Sequence, residues 1–394
     1  VKLLSVVQRY GVEVFGGAEQ FARKMATQLV GYGHEVDVAT SCATSYYDWA
    51  DYYEPGISEL EGVNIHRWRV EHPRHHEVFG ALNARVLTQR NSPEYLQRIW
   101  MREQGPVLPD FEAWLFEHAT DYDAVIFSTY LYWPTWAGLL QVSRRVPTIL
   151  YPLAHDEPAL QLPLFDLMYR LPSALAFLTE EEQQLVARRF ATKQPTAVTG
   201  VGVDLEPRGD DQRFRERYEV GERPYIVCVG RIDPHKGSEE LFDFFVTYKQ
   251  RNPGPLALVV VGEPVRPLPE HPDVIVTGFV DESTKDDAVA GAAVSVQPSY
   301  FESFSMVLTE AWAQEKPALV NGHSSVLSGQ AHRSGGALPY RGFAEFEAAL
   351  DMVINDDGVA ERLARSGRAY TERRYAWPVV MDRFERLLET LPQA

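Results

Sequence analysis

Short apolar runs alternate with segments of helical periodicity along most of the chain, an order that predicts repeated strand, helix, strand units. Leu3-Leu4-Ser5-Val6-Val7 reads as a strand, and the turn-rich segment after it ends at Gly16-Gly17. Ala18 to Leu29 then carries Phe21, Met25 and Leu29 at helical spacing, and Glu35 to Ala39 is the next strand. Further strands are predicted at Ala124 to Phe127, Thr148 to Leu153 and Ala174 to Leu178, with a helix from Trp133 to Ser143. Thr179-Glu180-Glu181-Glu182 has a capping-box pattern and opens a helix through Phe190. Between residues 43 and 120 the periodicity weakens among aromatics and prolines, and the segment reads as inserted strands and helices.

Past Val198 to Asp204 the chain turns polar and charged through Glu219, which reads as a hinge and linker. A second set of units begins at Tyr225-Ile226-Val227-Cys228-Val229-Gly230, with a helix from Ser238 to Tyr248 and strands at Leu256 to Val261, Val274 to Thr277 and Val294 to Gln297. The last helix, around Pro378 to Leu391, reads as crossing back to the first domain. The prediction is an α/β protein of two doubly wound, Rossmann-like domains, 1–204 and 205–376, with 377–394 returning to the first. A chain of 394 residues, 45% hydrophobic, has the material for two cores.

Charge and cysteine content narrow the classes. The net charge of −17 is spread over both halves: residues 1–200 hold 17 Lys and Arg against 24 Asp and Glu. Neither half is a basic arm, which argues against a nucleic-acid partner and against tight attachment to anionic lipid. No apolar run approaches the roughly 18 residues of a membrane span, and the first residues enter a strand without a signal-peptide pattern. Cys42 and Cys228 fall in different predicted domains and read as reduced core thiols, so a cytoplasmic location is expected.

The densest candidate chemistry is Pro298-Ser299-Tyr300-Phe301-Glu302-Ser303-Phe304-Ser305-Met306-Val307-Leu308-Thr309-Glu310, in which two carboxylates lie eight positions apart around a turn of small and polar residues that opens a helix. Such a turn presents unpaired backbone N–H groups and the positive end of a helix dipole, which suits a phosphate. The carboxylates accept from hydroxyls, so an anion and a polyol fit together there, as in a sugar nucleotide. Upstream, Gly230-Arg231-Ile232-Asp233-Pro234-His235-Lys236-Gly237 follows a buried strand, and its Arg and Lys suit a diphosphate. Each motif alone is compatible with solvated surface charges; the two in this order are far more specific. Spacing alone does not make Glu302 and Glu310 a glycosidase pair, since that mechanism depends on separation in space.

Other candidates are weaker. Gly16-Gly17 permits close approach of a ligand to a helix N-terminus, although a glycine pair is as often a tight turn; Glu19 reads as an acid matched to the helix dipole. His155, in Tyr151-Pro152-Leu153-Ala154-His155-Asp156, stands at a strand end and is either a site histidine or a loop-bonded one. His72, His75 and His76 lack the further ligands a metal needs and read as loop histidines, so no metal site is expected. Tyr130, Tyr132, Trp133 and Trp136 could stack on a sugar, but aromatics at this spacing are more often core.

The succession of Gly16-Gly17-Ala18-Glu19, Gly202-Val203-Asp204, Gly230-Arg231 with Lys236-Gly237, Gly278-Phe279-Val280 and Glu302 through Glu310 resembles the retaining GT-B glycosyltransferases of family 4. The resemblance spans nearly the whole chain and is densest from Val198 to Pro317. It implies two domains facing a cleft, with a nucleoside-diphosphate sugar, UDP or GDP based, held mainly by the second, and inserted segments of the first around the acceptor. It further implies that Glu302 contacts hydroxyls of the transferred sugar and Glu310 those of the ribose. Backbone amides around Phe304, Ser305 and Met306 would face the phosphates and sugar. Gly278 and Phe279 would lie near the base, Gly16, Gly17 and Gly230 beside the phosphates, and His155 near the sugar. The family usually has glycine where this chain has Ser305, so a left-handed backbone there would be strained.

The implied reaction is hexosyl transfer from the donor to an acceptor hydroxyl, with retention, no resident cofactor and no metal, since Arg231, Lys236 and helix N-termini stabilise the departing diphosphate. The acceptor is a sugar, another small molecule or a glycolipid; the acidic balance favours a soluble one. Two other functions use the same crevice: a GT-B sugar-nucleotide epimerase, and a sugar-nucleotide-binding protein without catalysis.

Overall fold

The computed structural model describes residues 1–88, 92–206, 209–232, 236–264 and 270–392. Its contacts divide into two units, residues 1–201 with 380–394, and residues 202–379.

The first unit runs β1 (Lys2–Val6), α1 (Gly17–Gly31), β2 (Glu35–Ser41), β3 (Gly56–Leu60), β4 (Val63–Trp68), α2 (His76–Thr88), α3 (Glu94–Gln104), α4 (Pro109–His118), β5 (Ala124–Ser128), α5 (Trp133–Val142), β6 (Thr148–Tyr151), β7 (Ala174–Phe177), α6 (Glu180–Arg189) and β8 (Thr196–Val198). The strands lie in the order β3-β4-β2-β1-β5-β6-β7-β8, parallel except for the β3–β4 hairpin. That hairpin closes on Glu61-Gly62, both at positive φ (55° and 78°), as a tight two-residue turn requires. Central strands buried on both faces need continuous apolar runs, and Leu3, Leu4, Val6, Val125 and Phe127 are all fully buried.

Residues 43–120, where periodicity was weak, contribute to this core and do not merely decorate it. Val86, Trp100, Met101, Phe111 and Leu115, from α2 to α4, join Phe127, Leu150 and Phe177 of the sheet in one buried cluster. Large aromatics cover area without a strict 3.6-residue repeat, which is why the helices were illegible.

The second unit continues with α7 (Asp211–Arg217), β9 (Tyr225–Val229), α8 (Ser238–Arg251), β10 (Ala257–Val261), β11 (Val274–Val276), α9 (Glu282–Ala290), β12 (Val294–Gln297), α10 (Met306–Ala313), β13 (Ala318–Asn321), α11 (Ser325–Ser334), β14 (Ala337–Tyr340), α12 (Phe343–Asn355) and α13 (Asp357–Tyr375). Among the described residues its six strands are all parallel, in the order β11-β10-β9-β12-β13-β14. The final helix, α14 (Trp377–Glu389), turns Val380, Met381, Phe384 and Leu387 inward. Within the first unit, Glu385 on this helix accepts from His34 at 2.7 Å and Arg383 donates to the Thr199 carbonyl at 3.2 Å.

Two local expectations need correction. The polar stretch read as linker through Glu219 contains α7, capped by Asp210 and anchored by buried Phe214, while Arg213 pairs with buried Asp287 of α9. One apolar anchor among charged neighbours leaves no periodic signal. The strand expected to reach Leu153 stops at Tyr151, because Pro152 follows and Leu153 takes a left-handed φ of 52°.

Candidate functional site

In each sheet the chain winds outward in both directions from one strand, β1 in the first unit and β9 in the second. Loops leaving the carboxyl ends beside such a strand diverge and open a crevice. In the second unit those loops follow β9 and β12, which are hydrogen-bonded neighbours. They carry Gly230, Arg231, Lys236 and Gly237 on one side and Pro298 to Ser305 on the other. Asp233, Pro234 and His235 of the first loop lie outside the described residues.

The loops touch closely at Gly237, whose φ is +68° and where an added Cβ would stand 2.2 Å from the Pro298 carbonyl oxygen. Only glycine meets both demands. The Asn321 side-chain amide donates to the same carbonyl at 2.8 Å, so the turn is held from below. Lys236 then reaches Glu302, Nζ to Oε1 2.8 Å, with the carboxylate largely buried at 14% exposure. Arg231 is exposed at the end of β9, next to Gly230, whose N–H donates to Val261.

Glu310 projects from α10 and receives a lysine of its own: Lys285 of α9 donates to Oε2 at 2.9 Å. Burial opposes the charge on Lys285, but Glu310 and Asp286 outweigh it and hold its pKa above the ordinary lysine value. Between the carboxylates, Phe304 packs its ring edge-on against Tyr375, and Gln330 donates to its carbonyl. Ser305 caps α10 with φ 71° and ψ 77°, the left-handed conformation expected to be strained for serine. Met306 begins the helix, whose first N–H groups have no partner within it. Gly278 (φ +69°) accepts from the Gly262 N–H at 3.1 Å, and the Phe279 ring after it is exposed.

The first unit has its own cluster at β1. Glu19, expected as a helix-start acid matched to the dipole, is buried: it accepts from Arg9 Nε at 2.9 Å and from Gln8 Nε2 at 2.7 Å. Thr129, left-handed at φ 67°, donates to Gln8 at 2.7 Å and ties in the loop after β5. Gly16 is required by this packing, since a Cβ would come within 2.2 Å of the Glu19 carboxylate; Gly17, the first residue of α1, has open space there. The ion pair, not the dipole alone, fixes Glu19.

His155 lies in the loop after β6, half-buried, its Nδ1 3.8 Å from Glu157, which also accepts from the Tyr130 hydroxyl at 2.8 Å. Beneath it, Glu182 is buried with both oxygens engaged: one accepts from the Ala154 N–H and the other from Leu178, each at 2.8 Å. Thr179 caps α6 as its pattern predicted, accepting from the Glu182 N–H. Burial raises the Glu182 pKa to about 8 against the opposing backbone bonds. Tyr130 is core, and Trp133 and Trp136 pack against the same cluster. His72 lies between Glu71 and Glu103, while His76 packs at a tilt against Tyr47. Among the described residues no three His, Cys, Asp or Glu side chains gather as a metal site. Cys42 and Cys228 are buried free thiols, pushed up to about 11 and about 12 by burial.

Sequence reasoning missed Lys285, Arg9 and Glu182. Each looks like an ordinary surface charge in its own segment, and its partner is set by packing; the Asp281 to Asp287 run shows no trace of a lysine turned inward.

Comparison with known proteins follows the same two-part division. The profile of "Glycosyl transferases group 1" matches residues 210–370, and that of a "Glycosyl transferase 4-like domain" matches residues 16–202. D-inositol 3-phosphate glycosyltransferase of Kribbella flavida is 29% identical over 215 residues, covering 49% of this chain and 50% of that protein. Alpha-D-kanosaminyltransferase of Streptomyces kanamyceticus is 23% identical over 190 residues, 45% of this chain and 49% of its own. The chain thus spans about half the length of these curated relatives. An uncharacterized glycosyltransferase of Methanocaldococcus jannaschii is 22% identical over 96% of this chain and 95% of its own. Among solved structures, sucrose-phosphate synthase from Thermosynechococcus elongatus superposes with a TM-score of 0.72 at 17% identity, over 99% and 98% of the two chains. Anabaena HepE in complex with UDP and glucose does so with 0.71 at 15% identity, over 99% and 100%. Among the described residues no helix is long and apolar enough to cross a membrane.

Proposed function

The chain belongs to the family 4 glycosyltransferases of GT-B fold, and from that premise we propose that it moves a sugar from a nucleoside-diphosphate sugar to an acceptor hydroxyl, with retention and without a metal. The observation that carries the proposal is the paired arrangement in the second unit, where Lys236 meets Glu302 and Lys285 meets Glu310 around the loop that opens α10. It sets cations and helix N–H groups beside carboxylates, the combination that a diphosphate joined to two polyols demands.

Breaking the bond between the anomeric carbon and the diphosphate builds negative charge on the leaving group. Arg231, Lys236 and the N–H groups at Phe304 to Met306 are the groups assigned to that charge, Glu302 to the transferred sugar and Glu310 to the ribose. Gly230 lets the backbone approach the phosphates, and Gly278 and Phe279 border the base. In the first unit, Gly16 and Gly17 are assigned to phosphate and His155 to the sugar. Loss of one well-placed donor typically costs about 3 kcal/mol in the transition state, about a hundredfold in rate.

The test is turnover of candidate sugar nucleotides with a panel of hydroxyl acceptors. UDP-sugars come first because solved neighbours hold UDP or UDP-2-fluoro glucose, and GDP-sugars second. Arg231→Ala and Lys236→Ala should each lower kcat about a hundredfold. Product of inverted anomeric configuration, or epimerised donor in place of transfer, would refute the proposal.

A further inference from the structure

Lys285 stands in the polar first half of α9, where Asp281, Glu282, Ser283 and Asp286 give its side chain little apolar reason to turn inward, while Ala288 and Val289 further along reach the core. Its side chain nevertheless retains only 16% exposure, and its ammonium comes to 2.9 Å from Glu310, against 3.8 Å from both Glu282 and Asp286. The neighbouring acids are occupied differently: Asp281 caps α9 by accepting from the Thr284 N–H, and Asp287 pairs with Arg213. Withdrawing a lysine and a carboxylate from water is unfavourable unless the two meet in good geometry. Glu310 itself is 12% exposed, so the pair is set inside the crevice wall and not on the open surface. Glu302 has a separate lysine from a separate loop, so a different cation stands at each of the two carboxylates.

We propose that Lys285 is the positioning residue of Glu310, holding its carboxylate in the fixed orientation that receives the two hydroxyls of a ribose, so that discrimination of ribose from deoxyribose depends on this lysine. The inference rests on the assignment of Glu310 to the ribose. A carboxylate fixed before the ligand arrives loses less rotamer freedom on binding, and the benefit falls on the hydroxyls it meets and not on the diphosphate held elsewhere.

The test is calorimetric titration of the full chain with UDP, GDP and ADP, then comparison of the tightest binder with its 2′,3′-dideoxy form. The wild type should bind the ribonucleotide at least tenfold more tightly, the effect of hydrogen bonds to a charged group. In Lys285→Met that ratio should fall to within about threefold, while affinity for the dideoxy form stays within about twofold of wild type. Glu310→Gln should abolish the ratio equally, and the double variant should go no further. Lys285→Arg should preserve it. A merely structural role would weaken both nucleotides together. If Lys285→Met does not fold, Lys285→Gln takes its place. A ratio that persists without the lysine overturns the inference and leaves the ribose assignment standing; a wild type with no ratio, or with no nucleotide binding, overturns the assignment and the inference with it.

Discussion

Glu182 sits in the core with both carboxyl oxygens accepting backbone N–H bonds, one of them from the residue before His155. Its folded pKa of about 8 lies above the ordinary glutamate value because burial outweighs those bonds. The folded state therefore binds the extra proton between about pH 4.5 and pH 8, and the stability tied to it is full below that window and lost as pH rises through it. Glu182→Gln places an amide NH2 against an N–H and should cost about 1–3 kcal/mol. That cost should narrow from pH 5 to pH 8.5 in thermal melts, since only the wild type has the slope; a widening gap would contradict the burial argument. Ser305 offers the opposite case. Its left-handed backbone is compatible with glycine at no steric cost, so Ser305→Gly should raise stability by up to about 1 kcal/mol, read as a higher melting midpoint. Glu302 and Glu310 were legible because their spacing brackets a turn that opens a helix. Glu19 and Glu182 were not, because no local pattern separates an acid in water from one whose partners arrive from other strands.

Elements follow the same division. β1 and β9 are near-continuous apolar runs whose burial on both faces could be read directly, and with β12, buried although it alternates Val-Ser-Val-Gln, they position the strand-end loops. α7 shows where such reading stops. Its seven residues carry one core side chain, Phe214, and its attachment depends on Arg213 meeting Asp287, far along the chain. Phe214→Ala should destabilise the second unit by about 3–5 kcal/mol. Arg213→Ala should also destabilise it, by removing the partner of a buried carboxylate. A fragment-wise proteolysis pattern in which residues 202–379 become susceptible before the first unit would check both variants.

For the whole molecule, two largely parallel sheets each wound outward from one strand make the carboxyl ends of β1 and β9 the sites where loop residues gather. A nucleoside diphosphate at about 100 times its Kd should stabilise the native protein by about 2.7 kcal/mol, visible as a thermal shift that Arg231→Ala and Lys236→Ala reduce. If lysine and arginine carry the leaving-group charge, exhaustive treatment with EDTA should leave turnover unchanged, and loss restored by Mg²⁺ would overturn metal independence. From the sequence alone came the α/β class, two doubly wound domains and the motifs from Gly230 to Glu310, because strand burial, glycine turns and helix starts are set by neighbours in the chain. Only the tertiary structure decided which lysine meets which carboxylate, that Arg9 neutralises Glu19, and that Glu182 pins the loop before His155. Those choices depend on which strands become neighbours and how far a side chain reaches once water is excluded, and neither is written in local order.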